Sequence, residues 1–155
     1  MLQPLTFGAP VPDISVNRGL AGDFSRARAK ANRNRWIEHL LKRSSVLPDL
    51  AEALNGYTRS IQHDCGIRIV QTRQIVGSVG RHHDFDRTFM PKRDGSKERW
   101  MRIDHAVRRG TSLPPLELIK VGDQYYVEDG NHRVSVANFH NQQFLEARVR
   151  EITLN

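Results

Sequence analysis

Cysteine is almost missing from this chain of 155 residues: Cys65 is the single one. One thiol excludes an internal disulfide framework and offers no cluster of paired thiolates for a metal. Aromatic residues make up only 7%, too few for an evident row of stacking platforms along a single nucleic-acid strand. No apolar run reaches the roughly 18 residues that a membrane-spanning helix requires. The N-terminal stretch MLQPLTFGAPVPDIS lacks the basic flank and apolar block of a secretory signal. The expectation is a cytoplasmic protein without a membrane partner.

Acidic residues are also in short supply. Lys and Arg total 24 against 17 Asp and Glu, a formal net charge of +7. Such an excess creates a field that attracts phosphate-bearing partners, nucleotides or nucleic acid alike. Charge speaks to association and not to fold, so the order of elements has to come from the pattern along the chain.

Residues 1–22 hold three prolines and three glycines without a sustained period and read as a flexible tail. Residues 23–67 read as a helical extension. Asp23 is placed to cap a helix running to about Arg43, with Trp36, Ile37, Leu40 and Leu41 on one face. A short second helix carries Leu47, Leu50, Ala51 and Leu54 and stops at Asn55-Gly56. The two together suggest an amphipathic hairpin packed on another element.

From residue 68 to 155 the grammar is that of one compact domain. Ile67, Ile69 and Ile75-Val76 suggest one or two short strands that end at Gly77-Ser78-Val79-Gly80-Arg81. A polar loop leads into a helix from about Ser96 to Arg109, with Gly110 as its stop. Leu116 to Val121 and Gln124 to Glu128 form a hairpin around Gly122-Asp123. A helix then runs to about Phe139, and Leu145, Ala147 and Val149 alternate with charged residues in a last strand. Strand, helix, hairpin, helix, strand predicts a mixed α/β (α+β) fold.

The most informative segment is the turn Asp129-Gly130-Asn131-His132-Arg133, where an apolar strand runs through glycine into a helix. The first amides of a helix have no internal partner and lie at the positive end of its dipole. Gly130 lets a ligand oxygen approach the backbone, and Arg133 and His132 would add side-chain donors. Two readings of these residues stand side by side. In one they form a phosphate cradle; in the other Asp129 is only a cap, Arg133 pairs with a carboxylate, and His132 packs beneath.

This box, with the Gly110-Thr111-Ser112-Leu113-Pro114-Pro115 turn and hairpin before it, resembles the nucleotide-binding domain of the ParB/sulfiredoxin superfamily. The resemblance extends from Ile75 through the last strand and includes the free-serine kinases. ParB proteins carry a Gly-Glu-Arg-Arg box, sulfiredoxins Gly-Cys-His-Arg, and the kinases Asp-Gly-His-His-Arg. It implies binding of a nucleoside triphosphate through Asp129, Gly130, Asn131, His132 and Arg133, with NTPase or phosphotransferase activity. Asn131 stands where sulfiredoxins need a thiolate, so sulfiredoxin activity is not expected. The 110–115 turn is one residue longer than the Gly-x-x-Gln-Pro turn of ParB and has no glutamine, so a CTP preference is not implied.

Other groups could join such a site. Ser78, Gly80 and Arg81 could reach the same phosphates from the opposite side, or form no more than a solvated glycine loop. Asp84 and Asp86, beside His82 and His83, could help to hold magnesium in a nucleotide complex, or be surface acids. Glu117 and Glu128 lie in strands near the box as candidate general bases, or as ordinary ion-pair partners. Arg26, Lys30 and Arg33 fall on one helical face and could follow a DNA backbone. Two functions fit these residues: a nucleotide-phosphate-binding domain acting as an NTPase or phosphotransferase, and a non-catalytic DNA-binding or regulatory module.

Overall fold

The computed structural model of the protein describes residues 14–57 and 60–154. Among them four α-helices, α1 (Ile14–Leu40), α2 (Leu50–Ala53), α3 (Lys97–Arg108) and α4 (Asn131–Phe139), pack on five strands. The strands are β1 (Ser60–Gln71), β2 (Ile75–Ser78), β3 (Leu116–Val121), β4 (Gln124–Asp129) and β5 (Phe144–Leu154). The fold is α+β, with one mixed sheet in the order β1-β5-β3-β4-β2. β1 runs antiparallel to β5, β5 parallel to β3, β3 antiparallel to β4, and β4 parallel to β2.

Strand alternation assigns each side of the sheet a different cover. Leu116, Leu118, Val127, Ala147 and Val149 point to one face and pack with Val134 of α4 and with Phe85 and Phe89. Ile119, Tyr126 and Ile152 point to the other and pack with Leu50 of α2. A third apolar cluster lies outside α4, where Val136 and Trp100 meet Phe24, Ala27 and Ala31 of α1. The Trp100 indole N–H donates to the Ser135 hydroxyl at 2.9 Å, so its one polar atom is satisfied inside that cluster.

The predicted order of elements is the observed one, and several stops fall where glycine set them. Gly122-Asp123 forms a two-residue hairpin turn, with Val121 opposite Gln124. Gly110 ends α3 at φ +66, a left-handed value that glycine takes without strain.

The N-terminal half departs from expectation. Of the expected tail, residues 1–13 lie outside the described residues, whereas 14–22 are helical and Leu20 is buried. Asp23 is therefore no cap; it sits inside α1, fully buried. The inward face of α1 is Leu20, Phe24, Ala27 and Ala31, not the larger residues. Trp36 is 70% exposed and Leu40 63%, with Ile37 and Leu41 also at the surface. The alanines win because they let α1 approach α3 closely. β1 begins at Ser60, so a boundary at 67/68 would divide a continuous strand. Its first residues are exposed and show no alternation; pairing with β5, which continues to Leu154, holds them extended.

Candidate anion site

Gly130 caps α4 with φ 106 and ψ 22. A Cβ there would stand 2.4 Å from Leu116 Cδ2 and 3.0 Å from the Arg133 guanidinium. The glycine is thus demanded by protein packing, whether or not a ligand approaches. Arg133 turns inward, with only 13% of its side chain exposed. It donates to Asp129 Oδ2 at 2.7 Å and to the carbonyls of Pro114 and Pro115, the latter at 2.9 Å. This corrects its place in a phosphate cradle: the fork is filled by the protein's own oxygens and ties the start of α4 to the 110–115 turn. Arg133→Ala is accordingly expected to destabilise the fold by about 1–3 kcal/mol, the cost of orphaning such acceptors. Phosphate affinity of the folded variant should change less than about threefold, since the fork is taken by protein oxygens and Arg133 is not in the wall of the cavity lined by Arg81, Arg93, Arg99 and His132. Thermal melts and a phosphate titration of the variant check the two halves.

Asn131 and His132 are buried, 5% and 4% exposed. His132 stacks edge-on against Phe85, with ring centroids 5.2 Å apart. Burial pushes its imidazole down to about 4, assisted by the nearby charges of Arg99 and Arg81 and opposed by Asp84. It is neutral at pH 7. Its Nε2 is sealed from solvent and has no hydrogen-bond partner in the structure, a costly state for a buried ring nitrogen.

The same ring lines a cavity of about 370 Å³ whose other walls are Arg81, Asp84, Arg93, Gly95, Ser96 and Arg99. Three guanidiniums, from the loop after β2, the approach to α3 and its first turn, thus converge beside a buried neutral histidine. The Arg81 fork donates to Asp84 Oδ2 at 3.0 and 2.9 Å, and Arg93 lies 3.7 Å from the other oxygen. The loop is fastened from behind by Arg28 of α1, which reaches Asp94 at 3.0 Å and the carbonyl of Pro91 at 3.5 Å. A larger cavity of about 660 Å³ between α1 and α3 is lined by Leu20, Met101, Arg102 and His105 among others. It holds two arginines against Glu98, fewer than the three against Asp84 in the smaller cavity, which is the better candidate for an anion.

The remaining expected residues divide. Arg81 is in the wall. Ser78 is fully buried, its hydroxyl 3.4 Å from the Val127 carbonyl and its amide donating to Pro48 O at 3.0 Å. The Gly80 amide donates to Asp49 at 3.2 Å. Neither faces the cavity. Asp86 is a structural knot: Oδ1 accepts from the Thr88 amide and hydroxyl and the Met90 amide, each at 2.8 Å, and Oδ2 from Asn34 at 2.9 Å. With its lone pairs so used, it is not poised for magnesium. Glu117 and Glu128 lie on the sheet face away from α4, beside Arg148 at 4.0 Å and Arg150 respectively, which removes them from the site as bases. Arg26 is bound to Asp23, and Lys30 is half-buried, so the expected basic stripe is interrupted.

Arg93, Ser96 and Arg99 were missed by sequence reasoning. The available signal was a basic residue on each side of Gly95-Ser96 just before a helix. Nothing local shows that this turn lies against His132, 36 positions later than Ser96 by the numbering. Among the described residues, a group of ligating atoms within 4.8 Å of one another is formed by Asp23, Asp104 and His140. Arg26 and Arg108 already neutralise these carboxylates. No described helix is long and apolar enough to cross a membrane.

The chain is similar to sulfiredoxin from Arabidopsis thaliana in its solved structure, at 15% identity and a TM-score of 0.42, covering 55% of this chain and 84% of that one. No family model and no curated protein matches the sequence. At that identity and score the likeness carries no argument about chemistry.

Proposed function

We propose that the protein binds the phosphate tail of a nucleotide in the cavity between Arg81, Arg93, Arg99 and His132. The single observation that carries this is the convergence of three arginines on one cavity walled by a neutral histidine ring. Arginine forks match phosphate oxygens two at a time, and a neutral imidazole can donate one further N–H. The wall holds three arginines against Asp84 alone, 3 − 1 = +2. That charge matches the dianion of a terminal phosphate better than the single charge of a backbone phosphodiester. The volume lies within the range of small-molecule pockets and admits the end of a chain rather than the side of a duplex. With Glu117 and Glu128 on the far face of the sheet, the reading is one of binding.

Titration of the full chain with ATP, ADP, CTP, GTP and tripolyphosphate, with and without magnesium, tests it. Saturable binding of at least one is expected. Arg99→Ala should weaken it by about tenfold or more, the cost of one charge-assisted pair. Arg99 is exposed, so the variant should melt as the parent does. No binding of any of these at millimolar concentration would overturn the proposal.

A further inference from the structure

The anion site already contains an anion of its own. Asp84 Oδ2 takes both donors of the Arg81 fork, and Oδ1 faces Arg93. Its side chain is 25% exposed, while those of Arg81 and Arg93 are 47% and 68% exposed, so a swing of the carboxylate into solvent is open. The backbone of Asp84 is held independently: its amide donates to Arg81 O at 3.1 Å, and its carbonyl accepts from the Lys92 amide at 2.9 Å. The side chain can therefore leave without unfolding the loop. A carboxylate and a phosphate oxygen ask for the same forked geometry from arginine. Both cannot have the Arg81 fork at once.

We infer that Asp84 is a tethered competitor for the anion site, holding Arg81 and Arg93 until a phosphate displaces it. The inference rests on the phosphate reading above and deepens it into a form of regulation. The carboxylate keeps two exposed guanidiniums together in the free protein, which lowers the ordering cost of binding. It also opposes any incoming anion, so the site releases its ligand readily and answers only to one that can supply two negative charges. Displacement is an exchange of ion pairs, with no bond made or broken.

Asp84→Asn retains the shape and removes the charge. In titrations at pH 8 with inorganic phosphate, a dianion there, the variant should bind on the order of tenfold more tightly than the parent chain. Dimethyl phosphate carries one charge, so its gain should be near the square root of that, roughly threefold. Equal or weaker phosphate binding by the variant would overturn the inference and make Asp84 a positioning residue. A second measurement covers a variant that fails to fold. The Arg81 Nε–H resonance of the parent chain should move as phosphate is added and Asp84 gives up the fork. A resonance unmoved at saturation overturns the exchange. If neither chain binds phosphate, ATP or tripolyphosphate, the phosphate reading itself fails, a result distinct from binding without competition.

Discussion

Arg108→Met is expected to lower the stability of the protein by about 3 kcal/mol, at the lower end of the cost of breaking a buried ion pair. Asp23 on α1 and Asp104 on α3 are both fully buried. Arg108 is half-exposed, yet it binds Asp23 and lies 3.4 Å from Asp104. Without it, two carboxylates that cannot reach water share what remains: Arg26 on Asp23, and His140 at 2.5 Å from Asp104. Methionine keeps most of the side-chain volume, so the loss reports charge rather than a cavity. For a chain of this size the melting temperature should fall by about 6–12 °C. Asp23→Asn placed on the Arg108→Met background should recover most of the loss, because it removes the stranded charge. A single variant that melts within about 2 °C of the parent would show that the cluster holds nothing together.

The second large effect is acid sensitivity set by His132. Its folded value is about 4 against an ordinary 6.5. Above pH 6.5 the ring is neutral in both folded and unfolded chains and imposes no penalty. As pH falls from 6.5 towards 4, the unfolded chain binds a proton that the folded one refuses, so stability is lost across that window. Below about 4 both states are protonated and the loss levels off. The full difference is about 3 kcal/mol, from 2.5 pH units at 1.36 kcal/mol each. Chemical denaturation of the parent chain and His132→Gln at pH 7 and pH 4.5 should show it. Contributions of the carboxylates cancel in the comparison, and the parent should lose about 2 kcal/mol more than the variant over that interval. Parallel losses would mean that the ring is hydrated and titrates normally.

These two predictions concern residues that local pattern treated very differently. The glycine turn opening a helix marks His132, and the structure places its ring in the wall of the cavity beside Arg81, Arg93 and Arg99. Arg133, one position on, was given the same role and lost it, because the carbonyls of Pro114 and Pro115 come from a turn 18 residues away and Asp129 from the end of β4. Alternation with Leu116 and Leu118 puts Glu117 on the opposite side of β3. Which side would face the cavity depended on where α4 packs, and β3 alone holds no trace of that. Asp23 read as a helix cap because nothing nearby reveals that Asp104, Arg108 and His140 surround it.

The amino-acid sequence settles whatever depends on neighbours along the chain. It marks where chain direction changes at glycine, which strand faces are apolar, and hence the α+β order of elements from β2 to β5. The partners of its charged groups depend instead on how distant elements pack. An arginine is equally at home beside a carboxylate, a backbone carbonyl or a phosphate, and the choice falls to whichever oxygen the packing of distant elements brings within about 3 Å.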